Sequence, residues 1–203
     1  MALKAARYLT ADRGYDATSF VQSLWDEYAI KPVIDIRNMW KDGEATRLWP
    51  GYDTVTYNFR GDVFCHHPET GEAHSMANGG FEADRDTLKK RCPAKFSGIT
   101  CDAQATCPVA AGIRIPLDTD RRIFTPLDRS SYSWDRAYAH RTAVERVNSR
   151  LDVSCGFEHH TIRGMAKMRA RCGLALLVML GMALGRTRQQ HPEHIRSLVR
   201  SSA

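Results

Sequence analysis

Apolar positions in the first 37 residues change period twice. Ala6-Arg-Tyr-Leu-Thr-Ala-Asp12 reads as a short strand ending in an acid, and Arg13-Gly-Tyr-Asp16 as the turn after it. From Thr18 or Ser19 as N-cap, Phe20, Val21, Leu24, Trp25 and Tyr28 fall at helical spacing, which predicts an amphipathic helix. Lys31-Pro-Val-Ile-Asp-Ile-Arg37 then alternates like a strand. Strand, helix, strand is the unit of a parallel sheet, so the predicted fold class is α/β.

Residues 38 to 128 change character. Pro, Gly, Cys and His become frequent, and short strands are expected at 53 to 59 and 61 to 64, around a turn at Arg60-Gly61. Residues 112 to 117 and 122 to 127 add two more candidate strands, which makes this stretch a β-rich insertion. A helix is expected from Ser131 or Ser133 to about Asp152. A more apolar one covers residues 163 to 184, stopped by Gly185, and residues 186 to 203 form a polar tail. The apolar run at 173 to 184 falls short of the roughly 20 residues of a membrane span, so it is expected to be a buried core helix. The predicted organisation is residues 1 to 37 as the first part of a core, 38 to 128 as the insertion, 129 to 185 as the closing helices and 186 to 203 as the tail.

Composition is that of a soluble globular chain, with 43% apolar and 26% charged residues. The first residues lack the long apolar core of a secretory signal, which predicts a cytoplasmic protein. Charge changes the picture more. Residues 129 to 203 hold 13 Lys/Arg against 5 Asp/Glu, while residues 1 to 128 hold 16 against 18. A basic final third suits a polyanion, because Lys and Arg that neutralise phosphates release condensed counterions; a solvated basic face is the alternative. Arg163, Lys167, Arg169 and Arg171 are the candidate phosphate contacts.

On the helix expected after the insertion, Tyr138, Arg141 and Glu145 stand three and four residues apart and share one face. Spacing alone leaves open a surface ion pair or a site acid partnered by a cation.

Two motifs resemble a known family. Leu9-Thr-Ala-Asp12-Arg-Gly-Tyr-Asp16 looks like the signature around the second catalytic acid of DDE-type insertion-sequence transposases. Tyr138-Ala-His-Arg141-Thr-Ala-Val-Glu145-Arg-Val-Asn-Ser-Arg-Leu-Asp152 resembles the helix with the third acid of that family. The resemblance implies a partial ribonuclease H-like core and DNA transposition by hydrolytic nicking and strand transfer. It also implies Asp12 and Glu145 as ligands of Mg²⁺ or Mn²⁺, in a centre where three carboxylates hold two ions roughly 4 Å apart. Arg141 would orient Glu145 or meet a phosphate, and Tyr138 would contact the DNA backbone. The family often has a Lys seven residues after the Glu; here that position is Asp152, with Arg150 nearby as the basic DNA contact. The implied partners are transposon ends and target DNA, gripped by a homodimer, with no membrane and with the protein on the nucleoid when bound. Asp16 is expected to be a turn or cap residue.

The first acid of the family precedes the second by two strands and a helix. Only eleven residues precede Asp12 and none is acidic, which leads to the expectation of a truncated frame that is inactive alone. A DNA-binding remnant without chemistry is the second reading. A zinc-stapled interaction fragment is the third.

Six cysteines in a chain expected to be cytosolic point away from disulfides, leaving metal or simple burial. Cys65, Cys92, Cys101 and Cys107, with His66 and His67 beside the first, are candidates for a Cys₄ or Cys₃His zinc site. Its role would be to staple an insertion of little apolar content. Cys155 and Cys172 read as packing residues, and His159-His160 as a solvated loop.

Overall fold

The computed structural model describes residues 6–190, and the chain divides into two compact units, residues 1–141 and residues 142–203. It mixes helices and sheets, as the α/β prediction requires. In the first unit β1 (Tyr8–Ala11) and β2 (Lys31–Ile34) run parallel, with Leu9 opposite Pro32 and Ala11 opposite Ile34. The crossover between them is α1 (Thr18–Asp26). Thr18 is its first turn rather than its cap: Ala17 occupies the N-cap without a side-chain bond. Val21 and Leu24 of α1 cluster with Ile30 and Ile34, and Leu9 and Ala11 flank them. Fully burying each such side chain stabilises by about 1.5–3 kcal/mol. The helix ends with Ala29 at φ 53° and the Ile30 N–H donating back to the Leu24 carbonyl, six residues earlier. That is the Schellman arrangement, in which glycine is the usual residue at the left-handed position.

Residues 47–116 supply two antiparallel sheets. One joins β3 (Arg47–Leu48), β4 (Val55–Tyr57), β5 (Val63–His66) and β6 (Ala73–Ser75) in chain order. The other joins β7 (Ala77–Glu82), β8 (Thr87–Arg91) and β9 (Ile113–Pro116), with the short helix α2 (Pro93–Phe96) following β8. The hairpin expected around Arg60-Gly61 is β4–β5, with Val55 opposite Cys65. Gly112, at φ +85° just before β9, is required on two counts: a Cβ there would lie 2.4 Å from the Lys90 carbonyl oxygen. The strand expected at 122 to 127 does not form. Asp120 Oδ1 accepts the N–H groups of Arg122 and Ile123, and Phe124 N–H donates to the Asp120 carbonyl, so a turn takes the donors a ladder would need.

The larger hydrophobic core lies within this stretch, which corrects the expectation that the insertion is short of apolar content. Trp49, Val55, Val63, Met76, Leu88, Ile115 and Phe124 are among its members, and Ile36 joins it from the end of the β1–α1–β2 unit. Trp25 of α1 reaches the same region, edge-on to Phe81 with its indole N–H donating to Asp86.

Buried charge ties the parts of this unit together. Asp16, 3% exposed, accepts from the Arg37 N–H and lies 3.0 Å from Arg122 Nε. It is the cap residue expected, since its N–H closes the turn on the Arg13 carbonyl, and its carboxylate is in addition an ion-pair anchor. Lys90, fully buried, meets Asp128 at 2.5 Å. Arg129 donates to the carbonyls of Ile34, Ile123 and Arg122.

α3 (Tyr132–Ala139) opens on Ser131, whose hydroxyl accepts the Trp134 N–H, and it packs against both β1 and β2. It then stops. The N–H groups of His140 and Arg141 turn back to Ala137 and Tyr138 carbonyls, closing the helix in a tight final turn. The single helix expected from 131 to about 152 is therefore interrupted.

The second unit contains α4 (Thr142–Ser149), a π-helical turn at Arg150–Ser154, and α5 (Met165–Arg188). α5 runs through Gly185, the expected stop, to Arg188, and the Gly185 carbonyl accepts the N–H of the Gln189 C-cap. It is also not a buried helix: none of its most apolar window is buried, and Leu174, Leu177, Val178 and Leu180 are exposed. At 24 residues it is long and apolar enough to cross a membrane, a criterion that core helices of soluble proteins also meet. The polar tail expected from residue 186 falls partly in α5, and residues 191 to 203 lie outside the described residues.

Candidate functional site

Asp12 sits at the carboxyl end of β1, where open parallel sheets present their functional side chains. Its Oδ1 accepts the Gly14 N–H at 2.8 Å and so caps the following turn. Asp35 occupies the equivalent place after β2, a position that the β2 alternation would have flagged had strand-end acids been sought on both strands. Its Oδ2 accepts from Arg13 Nε at 2.9 Å, and its Oδ1 takes the Ile36 N–H. The Asp35 carboxylate, then the weaker influence of Tyr138 and Asp16, holds the Arg13 guanidinium above its ordinary range. Tyr138 stands on α3, the helix packed on β1 and β2: Trp134 is buried, Tyr138 stacks on it at 4.7 Å, and the Arg141 guanidinium rests 5.4 Å over the Tyr138 ring.

Glu145 belongs to the second unit, on the exposed face of α4. Because the helix restarts at Thr142, Glu145 falls in a first turn, where an acid complements the helix dipole whatever else it does. A shallow groove on this helix is lined by Thr142, Glu145, Arg146, Ser149 and Arg150. Arg146 is a basic residue that the motif reading passed over; its position four before Arg150 was the available signal. Tyr138, Arg141 and Glu145 therefore do not share one continuous helical face, which corrects the expectation from their spacing.

Asp12 and Glu145 fall in different units, Asp35 is engaged by Arg13 and its neighbouring N–H, and no three His, Cys, Asp or Glu among the described residues form a ready-made metal group.

Of the candidate phosphate contacts, Arg163, Lys167 and Arg169 are exposed around the start of α5, whose first turn holds no acid. Arg171 is different. It donates to the carbonyls of Cys155 and Gly156 at 3.0 and 3.3 Å and lies 4.9 Å over the Phe157 ring, so it fastens the preceding loop to α5. Arg150 is half-buried at the start of the π-helical turn.

The four candidate zinc thiols converge. Cys65 on β5, Cys92 after β8, and Cys101 and Cys107 from the loop before β9 line one cavity. Burial pushes the Cys65 thiol up to about 11, and Cys92, Cys107 and Cys101 add to it. All six cysteines are free thiols.

No family model matches this chain, and no curated protein or solved structure matches it.

Proposed function

We propose that this chain acts in DNA transposition as a DDE-type transposase chain, and that in the form described it holds DNA without being set to cut it. The observation that carries the reading is the packing of α3 on β1 and β2. It sets the helix that carries Tyr138, at the start of one motif, against the strand that leads into Asp12, the acid of the other motif, across more than a hundred residues of chain. The β1–α1–β2 unit with α3 would belong to a ribonuclease H-like core. Asp12 and Glu145 would be its two retained metal-binding acids, and no cleavage step is derived from them. DNA would be held at phosphates by Arg163, Lys167 and Arg169, whose place at a helix start is electrostatically unfavourable until an anion arrives. Arg146 and Arg150 would extend that contact. Transposon ends and target would be the DNA, and a homodimer would hold paired ends.

The test is a nicking and strand-transfer assay with Mg²⁺ or Mn²⁺ on duplexes carrying the element ends, with Glu145→Ala and Asp12→Ala alongside. Binding without nicking, unchanged in both variants, is the expected result. Nicking by the wild type that Glu145→Ala abolishes would show a complete centre and overturn the second half of the proposal. No DNA binding at low salt by the folded chain would overturn the first half.

A second reading, a DNA-independent interaction fragment, is favoured by one observation only, the unburied apolar face of α5. It predicts self-association of the chain with no change on adding DNA.

A further inference from the structure

The insertion contains a cavity that no part of the DNA reading uses. Its free volume, about 20 Å³, admits one water-sized species and excludes an organic ligand. Cys65, Cys92, Cys101 and Cys107 all line it, although they come from a strand of one sheet, the end of a strand of the other, and the loop at 97–112.

Three histidines also reach this cavity, and their ring nitrogens are largely committed. His66 Nε2 is 2.8 Å from Thr56 Oγ1, and its Nδ1 faces the Gly71 carbonyl. His67 Nε2 is 2.5 Å from Asp102 Oδ1, and its Nδ1 accepts backbone N–H groups of Glu69 and Thr70. His74 Nε2 lies 3.7 Å from Glu72. None of the four thiols is in a disulfide. Four soft sulfur donors around a space for one atom are the donor set of Zn²⁺.

We propose that Cys65, Cys92, Cys101 and Cys107 bind one Zn²⁺ as a tetrahedral tetrathiolate centre that fastens the two sheets of the insertion to the loop at 97–112. The thiols are not drawn in to bonding distance as described, since no three ligand side chains among the described residues already form a metal group. Closure to roughly 2.3 Å Zn–S bonds requires rotation of side chains, mainly of Cys101 and Cys107, which stand in a loop rather than a ladder. Each S–H gives its proton to water as its S–Zn bond forms, and no oxidant or reductant is involved. With four thiolates the ion has no open position, so the centre is structural and takes no part in DNA chemistry.

The test is the zinc content of the full chain purified under reducing conditions, followed by Co²⁺ exchange. About one zinc per chain is expected, with Co²⁺ giving the intense thiolate charge-transfer and visible bands of a tetrahedral sulfur site. Cys101→Ser and Cys107→Ser should each lower bound zinc at least fivefold, whereas Cys155→Ser and Cys172→Ser, in the second unit, should leave it unchanged. Should either loop variant lose its fold along with its zinc, Cys101→His, which restores a ligand, should recover both. A folded chain without zinc that takes up Co²⁺ with no thiolate bands would overturn the proposal. So would equal zinc in all four serine variants, or a mass showing that the cluster thiols have paired as disulfides.

Discussion

Several charged side chains in the first unit are buried with their partners, and their energetics differ from those of the surface pairs. Lys90 and Asp128 meet with side chains 1% and 4% exposed, and Asp128 also accepts the N–H and hydroxyl of Ser130. Removing one member leaves an unpaired buried charge. Asp128→Leu should therefore cost about 3–5 kcal/mol in chemical denaturation, while Lys90→Met with Asp128→Leu should recover most of the loss. A double variant no more stable than the single one would show that the cost lies in packing. Exposed pairs predict something milder. The Arg114 guanidinium, donating to Glu82, holds that carboxyl below its usual range. A carboxyl depressed in the folded state contributes stability above its unfolded pKa and loses it as pH falls through the folded value. Acid titration of stability should thus show a small loss on the acid side of the ordinary glutamate range, removed by Arg114→Ala. None of the buried pairs can be read along the chain: Asp16 and Arg122 are 106 residues apart, and Asp16 by itself has the local signature of a turn residue.

At the next level up, the helix ends carry the clearest consequences. Ala29 adopts φ 53° after α1, where a Cβ is strained and glycine is not. Ala29→Gly should raise stability by about 1 kcal/mol, and a fall in Tm would show that the left-handed turn is not what closes α1. Gly112→Ala should act the other way, by about 2 kcal/mol or more, since its Cβ would meet the Lys90 carbonyl and its φ is positive. Elements with strong local periodicity are legible in the sequence. β1, α1, β2 and the β4–β5 hairpin all lie where alternation and turn residues put them. The interruption after Ala139 was not readable, because Tyr138, Arg141 and Glu145 keep helical spacing through it and no Pro or Gly marks it. The turn at 122–127 hid for a related reason: its alternating Ile123, Thr125 and Leu127 mimic a strand, while Asp120 upstream takes the backbone donors. α5 shows the limit of hydropathy, which measures how apolar a helix is and not whether a neighbour covers it.

For the molecule as a whole, the DNA reading rests on charge concentrated in residues 129 to 203 and on the packing of α3, which carries the start of one motif, on β1, which leads into the other. Motif order and charge were visible in the sequence; the end of α3 ahead of the helix with Glu145 was not, since helical spacing continues through it. The basic residues around the start of α5 fall into two kinds that are alike in sequence. Arg163, Lys167 and Arg169 are exposed, whereas Arg171 is engaged by the Cys155 and Gly156 carbonyls. The most direct measurement is the salt dependence of duplex binding for the wild type, for a variant with Arg163, Lys167 and Arg169 all changed to Ala, and for Arg171→Ala. Counterion release predicts that the triple variant flattens the slope of log K against log salt by about 2–3. Arg171→Ala should leave the slope within about 0.5 of wild type while lowering stability, because its guanidinium serves the loop and not a phosphate. A wild-type slope near zero, or a triple variant that binds with the wild-type slope, would contradict the assignment of this chain to DNA through these residues.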